Sequence, residues 1–188
     1  MKSDTQRDQE QKSLVDSRWV YRGRIVHLRL DTYQLGHKTK IAEIIHHPGA
    51  VVIVPIDEKG RVLLVQQWRR AAGEIVIELP AGTLEEGEAP ELCARRELRE
   101  ETGFAAKSMT PLGGFFSAPG FCDEYLHLFA AENLHSSPLP PDEDEQIDLL
   151  PTPLPDAIRM IEENKIRDAK TIAGLFRYQL WKGRCAKS

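Results

Sequence analysis

Three glutamates in the run Arg96-Glu97-Leu98-Arg99-Glu100-Glu101 stand at i, i+3 and i+4. On an α-helix that spacing puts Glu97, Glu100 and Glu101 on one face, within a turn of one another. Carboxylates held so close repel unless a cation sits between them. A hard divalent ion with oxygen ligands suits such a set, Mg²⁺ first and Mn²⁺ as its substitute.

The flanking residues say how the cluster is presented. Pro90 suits the first turn of a helix, where its missing N–H costs nothing, and Glu88 and Glu91 favour the positive end of the dipole. Gly103 can take the left-handed conformation that ends a helix. Upstream, Pro80-Ala81-Gly82 and Gly87 form a loop whose backbone can approach a ligand closely. Cys93 falls one turn before Glu97 and reads as a buried, inert thiol. The unit is loop, helix, loop, with an acidic cluster on one helical face.

Gly82, five residues, Glu88, seven residues, then Arg96-Glu97-Leu98-x-Glu100-Glu101-x-Gly103 and a hydrophobic residue resembles the Nudix box. The closing position is usually aliphatic and here is Phe104, a change that alters packing behind the helix. The resemblance implies hydrolysis of nucleoside diphosphates linked to another moiety. Cutting a phosphoric anhydride requires neutralised oxygens, a water held in line, and a group that takes its proton. By resemblance, Glu97 and Glu101 are metal ligands with the carbonyl of Ala81, and Glu100 serves a second or third ion. Arg96 then holds the glutamates in place. Glu88 has two readings, capping and orientation or ligation.

Further pieces resemble the ADP-ribose pyrophosphatase branch: Tyr21-Arg22-Gly23-Arg24-Ile25, Gln67-Trp68-Arg69, Glu78 to Gly82, Ser117 to Glu124, and Asp168-Ala169-Lys170-Thr171. A proline sixteen residues past the box glycine marks that branch, and 119 − 103 = 16 matches Pro119. The acidic segment Asp142-Glu143-Asp144-Glu145 resembles its Glu-x-Glu loop, which implies Glu143 as the base and Glu145 as an auxiliary metal ligand. A solvated acidic loop is the alternative. Arg69 either forks onto the diphosphate or makes a surface ion pair. Glu78 accepts from a ribose hydroxyl or assists the metal. Trp19 and Tyr21 either stack on adenine or pack the small sheet they belong to. The same resemblance puts Arg24, Pro119 and Gly120 among the substrate contacts. It also implies a homodimer that exchanges N-terminal sheets.

With 188 residues, 41% hydrophobic and 29% charged, the chain has the composition of a globular domain with a sizeable core. A net charge of −4 gives no general affinity for nucleic acid or anionic membrane, so positive charge at the site must be supplied locally. The three cysteines, Cys93, Cys122 and Cys185, lack metal-site spacing and read as reduced thiols of a cytoplasmic protein. No signal peptide is visible, and the longest apolar run, residues 50–56, is too short to span a bilayer.

Residues 1–16 read as a flexible polar arm, 17–46 as a small antiparallel sheet, and 47–188 as the catalytic domain. In the small sheet, a hairpin turns at Arg22-Gly23, and further strands are expected at 32–35 and 40–45. Val62 to Gln67 reads as the hairpin partner of the apolar strand at 50–55. Further strands are expected at 74–79, 112–117, 125–130 and 146–150, and helices at 154–163 and 169–181. This order suits a mixed sheet between helices, the α/β/α sandwich that the resemblance implies. The expected reaction is Mg²⁺-dependent hydrolysis of ADP-ribose or a related nucleoside diphosphate sugar. Its rivals are a GDP-mannose-type hydrolase and a non-catalytic nucleotide-binding regulator.

Overall fold

The computed structural model describes residues 2–140 and 146–185, the side chains of residues 2–4 excepted. The chain forms two compact units: Met1–Pro48 with Phe116–Glu124, and Gly49–Phe115 with Tyr125–Ser188.

In the smaller unit, α1 (Lys2–Ser13) leads into an antiparallel sheet of β1 (Leu14–Arg22), β2 (His27–Leu35) and β3 (Lys38–His46), in that order. The turn predicted at Arg22-Gly23 is present, closed by the Gly23 N–H donating to Val26 O at 3.0 Å. Two expectations are corrected. Residues 2–13 are helical where an arm without regular structure was expected, because Lys, Gln, Glu and Arg are good helix formers without an apolar face. The strand 32–35 is not separate: β2 runs through it without a break. The alternation of Val26, Leu28 and Leu30 with His27, Arg29 and Asp31 predicts a wet face that includes Asp31, yet Asp31 is buried. It accepts from Ser17 Oγ at 2.7 Å and from the Arg29 guanidinium at 2.9 Å, so the strand continues past it.

The larger unit is built around β4 (Ala50–Pro55), which is buried on both faces. Ala50, Val52 and Val54 point into one core with α3 (Leu154–Glu162) and α4 (Ala169–Cys185). Val51 and Ile53 point into another with Cys93, Ala94 and Leu98 of α2 (Pro90–Thr102). A fully buried Val or Leu is worth roughly 1.5–3 kcal/mol, so this strand alone anchors both layers. Its sheet runs β7 (Ala81–Thr83), β4, β9 (Tyr125–Ser136), β8 (Phe104–Phe116). The sheet is mixed, with β4 antiparallel to β7 and parallel to β9. Helices cover both sides, giving the α/β/α sandwich expected.

A second sheet places β5 (Arg61–Arg69) between β10 (Ile147–Pro153) and β6 (Glu74–Glu78). This corrects the hairpin expected between β4 and β5: their antiparallel pairing is limited to the bridge Ile56–Val62 just past the end of β4, and the two strands meet through side chains in one core. Both lateral edges of β4 are already taken, by β7 and β9, so β5 must pair elsewhere. The strands β8 and β9 also extend well beyond the ranges expected from sequence.

Candidate active site

Helix α2 has the ends its sequence predicts. Pro90 stands in the first turn, and Gly103 is left-handed at φ 76° with its N–H donating to Arg99 O. No side chain caps the N-terminus, where Ala89 sits, so the capping role considered for Glu88 is not observed. Glu88 instead takes both sides of the Arg96 guanidinium, at 3.0 and 2.9 Å. That pairing is the main reason its carboxyl lies below the usual range.

Arg96 bonds further along the same face. Its Nη1 donates to Glu97 at 2.7 Å and to Glu100 at 3.0 Å. One guanidinium therefore faces three carboxylates, and the Glu88 hydrogen bond first of all raises its pKa. Among the described residues, no three His, Cys, Asp or Glu side chains close into a metal cage. Arg96 serves as the internal counterion of Glu88, Glu97 and Glu100. Cys93 lies under this layer, fully buried, its thiol against Thr83 O at 3.6 Å. Burial, above all, pushes that thiol far up, so it is inert as expected.

The corner between β6 and β7 meets the helix at two points. The Ala81 N–H donates to Glu101 Oε2 at 3.1 Å. At Gly82, a Cβ would lie 1.8 Å from the Glu97 carboxylate, so the Glu97 side chain occupies the space any other residue would need. Glu97 and Glu101 are 9% and 7% exposed, far below what carboxylates tolerate without partners. Two buried carboxylates beside a glycine-lined backbone corner are hard oxygen donors, and they fit a divalent ion.

Arg69 and Glu78 are brought together, but with each other. The Arg69 guanidinium forks onto Glu78 at 2.8 and 2.7 Å, and Lys170 Nζ adds a third donor. Burial drives the Glu78 carboxyl up, yet these two cations outweigh it and hold the group below its ordinary value. At 2% exposure Glu78 is enclosed by its partners, which disfavours the ribose contact expected of it. The ion-pair alternative is the one observed for Arg69, though its partner is buried rather than on the surface. Glu101 is near enough for its charge to act on Arg69, which links this pair to the box helix. Beside the pair opens a cavity of about 410 Å³, lined also by Glu74, Arg167 and Asp168. The helix glutamates do not line it.

The remaining candidates lie in the smaller unit or outside the described residues. Trp19 is edge-on to His27 and His46, with the Arg22 and Arg29 guanidiniums 5.2 and 5.5 Å from its ring centre. Tyr21 and Arg24 are exposed, so the core-packing alternative does not hold for Tyr21. Pro119 and Gly120 belong to a turn closed by Phe121 and Cys122 N–H groups donating to Ala118 O. That turn is tied to β3 through Ile45 and through Asp123, whose carboxylate bonds His46. Glu143 and Glu145 fall outside the described residues.

Two contributors were missed by sequence reasoning. Thr171 and Gly174 of α4 both meet Leu79, at the corner that leads into the box. The Asp168-to-Thr171 run was noticed only as part of a resemblance. No local signal connects it to a residue more than ninety positions upstream.

Comparison with known proteins accords with this geometry. The NUDIX domain profile matches residues 46–175. The ADP-ribose pyrophosphatase of Bacillus subtilis (strain 168) is 36% identical, covering 91% of this chain and 94% of its own. A methanol dehydrogenase activator of Bacillus methanolicus is also 36% identical, over 90% and 94%. A GDP-mannose pyrophosphatase of Cronobacter sakazakii is 34% identical, over 81% and 87%. A crystal structure described as an ADP compounds hydrolase superposes with TM-score 0.81 at 24% identity, covering 91% of this chain and 94% of that one, a likeness of fold.

Proposed function

The chain belongs to the Nudix family, and on that premise we propose that it hydrolyses ADP-ribose, or a closely related nucleoside diphosphate sugar, with Mg²⁺. The products are a nucleoside monophosphate and a sugar phosphate. The observation that carries this reading is the pair of buried carboxylates, Glu97 and Glu101, set against the Ala81–Gly82 corner. The 36% identity to an ADP-ribose pyrophosphatase over nearly the whole chain supports the substrate.

Nudix hydrolases generally use divalent metals. In this reading Glu97, Glu101 and the carbonyl of Ala81 would hold Mg²⁺, Glu100 would serve a further ion, and Mn²⁺ would substitute. The chemistry such an ion would supply is charge neutralisation at the diphosphate and a more acidic water. Arg96 keeps the glutamates oriented. Glu143 takes the water's proton, and Glu145 is an auxiliary ligand. Arg69 meets the diphosphate through the Nη1 side of its guanidinium, with Glu78 fixing its orientation. Trp19, Tyr21, Arg24, Pro119 and Gly120 contribute nucleoside and sugar contacts, some of them to the partner's site in a homodimer.

Exposed Val15, Tyr21 and Ile41 on the small sheet support the dimer, since exposed apolar residues grouped on one sheet favour burial against a partner. Analytical ultracentrifugation at micromolar concentration is expected to give twice the chain mass, and a monomer would sink the shared site. The odd number and scattered spacing of the three cysteines support a reducing, cytoplasmic setting. Among the described residues, no helix is long and apolar enough to cross a membrane.

A panel of nucleoside diphosphate sugars with Mg²⁺, read by chromatography, tests the reaction. ADP-ribose is expected to be turned over fastest, with ¹⁸O from H₂¹⁸O in one phosphate product. A preference for GDP-mannose in direct competition would favour the second reading, which the Cronobacter relative's name supports. No turnover of any member would leave the regulator reading.

A further inference from the structure

The first turn of α4 grips the strand end that enters the box. Leu79 is fully buried, and its N–H donates to Thr171 Oγ1 at 2.7 Å. Thr171 is itself fully buried, and its hydroxyl proton goes to Asp168 Oδ2 at 2.6 Å. The same Asp168 oxygen accepts from the Thr171 N–H at 2.9 Å, so the hydroxyl is oriented with its lone pair toward Leu79. One turn on, a Cβ at Gly174 would come within 2.6 Å of Leu79 Cδ1, so the Leu79 side chain lies directly on the helix. Lys170 holds the preceding residue, Glu78.

The next three residues are each attached to something else. Pro80 O accepts from the Ile53 N–H at 2.9 Å, Ala81 donates to Glu101, and Gly82 lies against Glu97. Four consecutive residues, 79–82, are thereby pinned in series, and Thr171 is the first pin. Removing its oxygen would leave a buried N–H unpaired, which the chain relieves by shifting the corner. The shift would pass through Pro80, whose ring limits internal adjustment, to Ala81 and Gly82.

We propose that Thr171, oriented by Asp168, is a positioning residue for the metal site, setting where the Ala81–Gly82 corner stands relative to Glu97 and Glu101. The proposal rests on the hydrolase reading above. Thr171 touches no reacting atom. It acts through the backbone of Leu79, and outer partners of this kind change metal affinity or activity by about 10–100-fold when removed.

Mn²⁺ binding, read by electron paramagnetic resonance of the free ion, and ADP-ribose kinetics together test it. Thr171→Val is expected to weaken Mn²⁺ about tenfold and to lower kcat while leaving the KM for ADP-ribose within about twofold. Thr171→Ser, which restores the oxygen, should return both to near wild type. Asp168→Ala keeps the hydroxyl but frees its rotation, and a smaller loss of the same kind is expected. It decides the matter if Thr171→Val does not fold by circular dichroism. Wild-type Mn²⁺ affinity in folded Thr171→Val, or in Asp168→Ala should that variant be the one that folds, overturns the positioning role alone. A wild-type protein that binds Mn²⁺ but cleaves no nucleoside diphosphate sugar overturns the function and leaves the positioning role standing. Absence of Mn²⁺ binding in the wild type overturns both.

Discussion

Glu97→Gln and Glu101→Gln are each expected to lower turnover of ADP-ribose by at least ~10²-fold, the scale of losing one electrostatic contact at a reacting charge. The substitution is nearly isosteric. It keeps an oxygen that can accept from Ala81 in the one case and fill the space at Gly82 in the other, while it removes the charge and turns one acceptor oxygen into an amide donor. A loss of packing cannot account for the result, and thermal melts should stay close to wild type. Steady-state rates across a Mg²⁺ titration check this, with a raised half-activating concentration in both variants. Near-normal turnover in both would mean that no cation works at this helix face. Glu143→Gln in the same titration should lose turnover that Mg²⁺ does not restore, as expected of a proton acceptor. Glu145→Gln should recover at high Mg²⁺, as expected of a ligand.

Gly82→Ala has an effect of similar size by a different route. The added Cβ would stand 1.8 Å from both Cδ and Oε1 of Glu97 and 2.4 Å from its Cγ. The glutamate is the flexible partner, so it moves and the backbone stays. The fold is expected to survive, with one of the two buried carboxylates turned away from the corner. A loss of roughly 10²-fold in kcat/KM is expected, as for a small misplacement at a reacting centre, together with weakened Mn²⁺ binding. Differential scanning calorimetry separates this from unfolding, since the melting temperature should drop only a few degrees. Wild-type kcat/KM in Gly82→Ala would show that the observed Glu97 position has no part in catalysis.

The acidic face carries an internal counterion. Arg96 bonds Glu88, Glu97 and Glu100, which explains how the carboxylates at i and i+3 coexist on this helix face, while Glu101 at i+4 accepts from the Ala81 N–H. Charged groups removed from water need partners on every side, and the guanidinium fork provides several at once. Glu78 follows the same rule, enclosed by Arg69 and Lys170. Among the described residues near the box, Glu78, Glu88, Glu97 and Glu100 are thus each paired with an arginine.

Local order was legible from residue types alone. The box helix, its Pro90 start and Gly103 end, the buried strand at 50–55 and the two closing helices all follow from spacing and from backbone preferences within a few residues. So does the placing of Glu97, Glu100 and Glu101 on one face, because a helix of 3.6 residues per turn fixes it. What residue types could not supply is which distant groups meet. That Arg69 spends its fork on Glu78, that β5 leaves β4 for β6 and β10, and that Thr171 holds Leu79 across ninety-two positions depend on how sheet edges are filled and how layers close. Periodicity reports which face of an element is buried. Only the packed tertiary structure decides against what.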